Sequence, residues 1–244
     1  MKRCYLVTRR FLVFNRQRWI LGYGAGFGFL LLIWLIPIII GTPESSHYSF
    51  DTVLSSALFI YTLGGLLLTS HLFYELHSSA SAYQLLTLPA TTLEMLFSAW
   101  LLSSIGYTLT VIIGLLGLSI VVETISAILM GSYANFSLFN PLRMDSLATM
   151  GTYLGYQSIF LFGAVYFRKN NFIKTLISII ILFMVIAAVS VTTFFFIMSS
   201  QQNGVEAVEM GVNQYPSLYW ILWIIVITAM YLFSYFRLKK RELV

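Results

Sequence analysis

Charge is scarce in this sequence. Only 9% of its 244 residues are Asp, Glu, Lys or Arg, where a soluble domain carries roughly a quarter. By contrast 59% are hydrophobic and the mean hydropathy is +0.85. A water-soluble fold of this size has no means of hiding so many apolar side chains. Cysteine is nearly absent too: Cys4 is the only one, which excludes an internal disulfide. Several catalytic signatures are also missing. There is no Gly-Lys pair, hence no GxxxxGK[ST] phosphate loop, and no HExxH, GxSxG or CxxC. The chain is therefore not expected to be an enzyme: a self-contained ATPase, zinc protease or serine hydrolase would show one of these devices.

What the chain has instead is long apolar runs. A membrane-spanning helix needs about 20 mostly apolar residues, and six runs qualify, at about 20–40, 52–72, 95–122, 147–167, 172–198 and 217–236. Unbroken runs of this length exclude an outer-membrane barrel, whose strands are ~10-residue alternating segments. The expected fold is thus an all-α integral membrane protein with six transmembrane helices in one domain over 1–244. The basic start followed by an apolar run is read as a retained first span. Its apolar part exceeds the ~7–15 residues of a signal-peptide core, and no small-residue cleavage site follows.

The few charges are sorted by side. The N-terminal tail, the connection after the fourth run and the C-terminal tail together hold 13 of the 14 Lys and Arg residues. With six spans these three segments share one face, so both termini are expected to be cytoplasmic. Only Arg143 falls opposite, with Glu44, Asp51, Asp145, Glu206 and Glu209. A formal net charge of +5 then reflects this bias and attraction to anionic membrane lipid, and no nucleic acid is needed to explain it. No run carries a central charge, since Glu94 and Glu123 lie at the ends of the third, which weighs against an ion-coupled transporter.

Local motifs follow. "TRRFLVFNRQRWIL" (8–21) interleaves Phe11, Leu12, Phe14 and Trp19 with Arg9, Arg10, Arg16 and Arg18, the pattern of a helix lying in the membrane interface over about 8–19. "GYGAGFG" (22–28) places Gly22, Gly24, Gly26 and Gly28 as two overlapping GxxxG pairs, suited to close helix packing within the bundle or between two chains. His71, Glu75 and His77 make a poor metal site, because His77 leaves the helical face that His71 and Glu75 share; no metal is expected. Tyr61, Thr62 and Ser70, with Tyr153 and Gln157, are the only modest polar candidates for intramembrane chemistry.

The 71–94 stretch, "HLFYELHSSASAYQLLTLPATTLE", contains no Lys or Arg. On a helix, Leu72, Leu76, Ala80, Tyr83 and Leu86 or Thr87 form one apolar stripe, with Glu75, Ser78, Ser81 and Gln84 largely off it. Pro89 stops that helix, and Thr91 and Glu94 have the spacing of a capping box before the third run. In this layout the chain resembles the permease subunit of type-2 ABC exporters, in topology throughout and in motif over about 25 residues, "LLTLPATTLE" among them. The resemblance implies an interfacial helix before span one. It also implies a coupling helix between spans two and three, here carrying Glu75, Leu76, Ala80, Tyr83, Gln84, Leu86, Pro89 and Glu94. It further implies a cytoplasmic ABC ATPase partner holding ATP and magnesium, a second permease chain, and a bacterial inner membrane. The absence of basic residues in the loop departs from many members of that family. A non-transporting membrane scaffold that docks a cytoplasmic partner would share the same layout.

Overall fold

A computed structural model describes residues 2–40, 50–74, 90–130, 141–200 and 216–242. Among these the chain is helical, with no strand. The elements are α1 (Lys2–Phe14), α2 (Arg16–Ile40), α3 (Phe50–His71) and α4 (Thr92–Leu101). A wide π turn (Leu102–Gly106) carries α4 directly into α5 (Tyr107–Met130); α6 (Met144–Tyr166), α7 (Asn171–Ser200) and α8 (Pro216–Glu242) complete the order.

Among the described residues five stretches are long and apolar enough to cross a membrane: Arg16–Ile36, Leu54–His71, Thr92–Leu129, Asn171–Thr193 and Trp220–Lys240. The run expected at 147–167 is also a helix, α6, of 23 residues, but it lies outside that set. The reason is its position. It packs against α3, α7, α8 and the π turn, and Tyr153, Gly155, Gln157, Ser158, Phe160, Leu161, Gly163, Ala164 and Val165 are all buried. A helix solvated by protein on most sides has no need to be uniformly greasy. Small residues bring its neighbours close: Gly151 and Gly155, one turn apart, lie against Trp220 and Trp223 of α8, and Gly163 lies against Thr175 of α7.

α7 is the opposite case. Its first turns join the bundle through Asn171 and Thr175, both buried, but every residue from Ile180 to Thr193 is exposed. Its 30 residues extend about 45 Å at 1.5 Å per residue. The link from α6 turns on Asn170, whose φ of 53° is the left-handed conformation that asparagine tolerates.

Over the stretch expected at about 8–19 the structure has two helices, α1 ending at Phe14 and α2 beginning at Arg16. α1 ends at Phe14 because Asn15, 2% exposed, turns its side chain back on the helix. Its Nδ2 donates to the Phe11 carbonyl at 3.2 Å, while its own carbonyl accepts from Trp19 N–H at 3.0 Å to open α2. Asparagine competes with helical backbone bonds in this way. α1 then packs along α4, burying Val7 and Phe11 and leaving Tyr5, Leu6, Leu12, Val13 and Phe14 exposed beside Arg9.

Candidate functional site

The centre of the bundle is built around four tyrosines from four helices. Tyr107 (α5) stacks on Tyr23 (α2) and Tyr61 (α3) with ring centroids 5.9 and 5.5 Å apart, and Tyr153 (α6) closes on Tyr61 at 4.9 Å. Rings of this size fit only because α3 presents glycine there. A Cβ on Gly65 would lie 2.5 Å from the Tyr153 ring and 2.7 Å from that of Tyr107, and one on Gly64 would lie 2.9 Å from the Tyr107 hydroxyl.

Three of the hydroxyls are engaged. Tyr107 donates to the Tyr61 carbonyl at 2.7 Å, and Tyr61 meets Thr108 Oγ1 at 2.8 Å. Tyr153 reaches the π turn. There the Tyr107 N–H bonds the carbonyls of Leu102 and Ser104, so the Ser103 carbonyl loses the partner an α-helix would give it. The Tyr153 hydroxyl takes that place, donating to Ser103 O at 2.8 Å. Gln157 Nε2 donates to Ser103 Oγ, which itself donates to the Ala99 carbonyl at 2.8 Å.

A groove runs along one side of this cluster. Its volume is about 700 Å³, within the ~300–1,000 Å³ of ordinary small-molecule sites. α2 and α3 form its walls, with Tyr61, Tyr107 and Val111 at its floor. Exposed Leu21, Phe29, Phe59 and Leu63 form the rim, so the opening faces sideways, where a membrane would place acyl chains. The two walls are antiparallel: Gly22 sits against Leu68, Gly26 against Ile60, and Trp34 Nε1 donates to Ser56 Oγ at 3.2 Å. Arg18 and His71 therefore meet at the same end of the groove. The Arg18 guanidinium lies 4.1 Å from the Tyr74 ring centroid and 3.5 Å from Asn15 Oδ1.

The motif glycines divide by face. Gly22 and Gly26 touch α3, whereas a methyl group added to Gly24 or Gly28 would meet nothing within 4 Å. Residues two apart on a helix point about 200° away from each other, so the two overlapping pairs serve opposite sides. The capping box is present. Glu94 N–H donates to Thr91 Oγ1 at 3.3 Å, and Thr91 N–H donates to Glu94 Oε2 at 2.8 Å.

Of the coupling-helix residues, Glu75, Leu76, Ala80, Tyr83, Gln84, Leu86 and Pro89 lie outside the described residues. Both roots of that segment are described, and both rest on α1. On the α3 side Phe73 meets Phe11 edge-on at 5.7 Å. On the α4 side Ser98 Oγ lies 3.0 Å from Cys4 Sγ. Among the described residues no group of His, Cys, Asp and Glu is placed to hold a metal. Of the polar candidates for intramembrane chemistry, Tyr61 and Tyr153 touch each other, and Tyr153 and Gln157 both serve the π turn. Thr62 and Ser70 bond backward to their own helix, at Leu58 O and Leu66 O.

The groove itself has no single-stretch signal in the sequence. Arg18 and His71 stand 53 positions apart, and only the antiparallel pairing of α2 with α3 joins them. No family model, no curated protein and no solved structure matches the chain.

Proposed function

We propose that this chain is the permease subunit of an ATP-driven exporter of the type-2 ABC class. In this reading two permease chains enclose a path, and a separate cytoplasmic ATPase docks on residues 75–89. α6 crosses the membrane as the sixth span, which puts both termini, residues 75–89 and 13 of the 14 basic residues on the cytoplasmic side.

The observation that carries the proposal is the shared anchorage on α1 of both roots of the 75–89 segment, through Phe11 with Phe73 and Cys4 with Ser98. A push on that segment is delivered to α1, α3 and α4 at once, which suits the rigid-body transmission such a machine needs. The missing phosphate loop agrees with hydrolysis on another chain. The long exposed face of α7 leaves surface for a second permease chain.

The test is purification of the full-length chain from its native membranes, followed by nanodisc reconstitution with the chain that co-purifies. ATP hydrolysis is measured for wild type and for Y83A/L86A. The variant is expected to lower hydrolysis at least several-fold. Co-purification without any ATPase, or unchanged binding and hydrolysis in the variant, would sink the proposal and leave a docking scaffold.

A further inference from the structure

We infer that the α2–α3 groove is a binding site for one anionic membrane lipid, its headgroup held by Arg18 and His71 and an acyl chain laid along the apolar walls. This rests on the apolar architecture and the groove geometry alone, and does not require an ATPase partner.

Length is the first argument. The lining runs from Arg18 to Leu30 on α2 and from His71 back to Ala57 on α3. At 1.5 Å per residue these walls are about 18 and 21 Å long, a little more than one leaflet of a ~30 Å hydrocarbon core. A lipid entering sideways from one leaflet fits that depth.

Polarity is the second. Two of the three tyrosines on the groove, Tyr61 and Tyr107, have their hydroxyls occupied by Thr108 and the Tyr61 carbonyl. Apart from Arg18 and His71 the lining is aliphatic, aromatic or glycine. A peptide would find few partners there for its backbone amides, whereas an acyl chain needs none.

Charge is the third. Among the described residues Arg18 meets the Tyr74 ring and the Asn15 side chain and no carboxylate. Among the described residues only one of its five N–H donors is bonded, to Asn15 Oδ1. His71 supplies a further N–H donor beside it. A cation at one end of a one-leaflet apolar groove is complementary to a phosphate headgroup with its tail, and less so to a zwitterion whose ammonium would face Arg18.

The experiment uses the full chain, delipidated in detergent and examined by native mass spectrometry. The probes are dioleoylphosphatidylglycerol, dioleoylphosphatidylcholine and glycerol 3-phosphate. Wild type is expected to retain one phosphatidylglycerol at least tenfold better than phosphatidylcholine, and to retain no glycerol 3-phosphate. R18Q should abolish the preference. R16Q, a neighbouring arginine that does not line the groove, should keep it. L67W should exclude both lipids by filling the apolar wall. Thermal melting checks that each variant is folded; should R18Q fail that check, H71Q and L67W carry the test. The proposal is overturned by equal retention of the two lipids in wild type, by an R16Q loss equal to that of R18Q, by undiminished binding in L67W, or by glycerol 3-phosphate binding as well as the lipid. Failure here leaves the exporter reading intact, since that is judged by ATP hydrolysis.

Discussion

The Tyr153 hydroxyl donates to the Ser103 carbonyl at 2.8 Å, across 50 positions of sequence. It occupies the acceptor that the π turn withholds from Tyr107 N–H. A helix irregularity and a tertiary hydrogen bond are thus one feature, and each accounts for the other.

Removing that hydroxyl is the first prediction. Y153F leaves a buried backbone carbonyl without its donor, at an expected cost of about 1 kcal/mol, with ~0.6 typical of hydrogen bonds inside membrane proteins. Thermal unfolding in detergent reads the loss. Amide exchange across residues 102–107 should rise more than elsewhere; uniform exchange would show that the bond does not hold the turn.

Glycine-to-alanine changes should separate sharply by position. G65A forces a methyl to within 2.5 Å of the Tyr153 ring, an overpacking that costs roughly 1–3 kcal/mol. G24A meets nothing within 4 Å and should be neutral, or slightly stabilising through helix propensity. Equal melting temperatures for the two variants would contradict the packing described for the tyrosine cluster.

The start of α4 depends on its cap. T91A removes the oxygen that accepts Glu94 N–H and should cost about 1 kcal/mol. The effect belongs locally to residues 92–96 and is measured by their exchange protection. E94Q should be milder, because a glutamine can still accept from Thr91 N–H.

A topology measurement decides the role of α6. If it crosses the membrane, single cysteines introduced near residues 3 and 241 in a C4A background are labelled by a membrane-impermeant maleimide from the same side. Labelling from opposite sides would mean that five stretches cross and α6 does not, and would remove the six-span exporter layout.

Much of this architecture was legible in the sequence for a simple reason: the bilayer imposes length and apolarity on each span separately, so composition alone locates most of them. The cap was legible because Thr91 and Glu94 are three residues apart and act without outside help. The break between α1 and α2 is not legible, since nothing in a run of aromatics and arginines announces that Asn15 will fold back on Phe11. α6 blurred for the opposite reason. Its Tyr153 and Gln157 are answered by Ser103 of a neighbouring helix, information that a hydropathy count does not contain. The groove was invisible for the same cause, as it exists only where α2 lies against α3.

The wide turn at Leu102–Gly106 amounts to one extra residue threaded into an otherwise regular rod of nearly 40 residues from Thr92 to Met130. Everything after it is rotated by about 100° relative to an uninterrupted helix. That rotation is what aims the buried row of Tyr107, Val111, Leu115, Leu118 and Val122 inward. Deleting Ser104 would let the rod close as a regular helix with that row still facing inward, whereas keeping every residue and closing the turn to α-helical bonds would leave the segment as greasy as before and swing the row toward lipid. Between Trp100 and Tyr107 the width of the turn, and not the greasiness of its residues, sets which side of the rod is the inside.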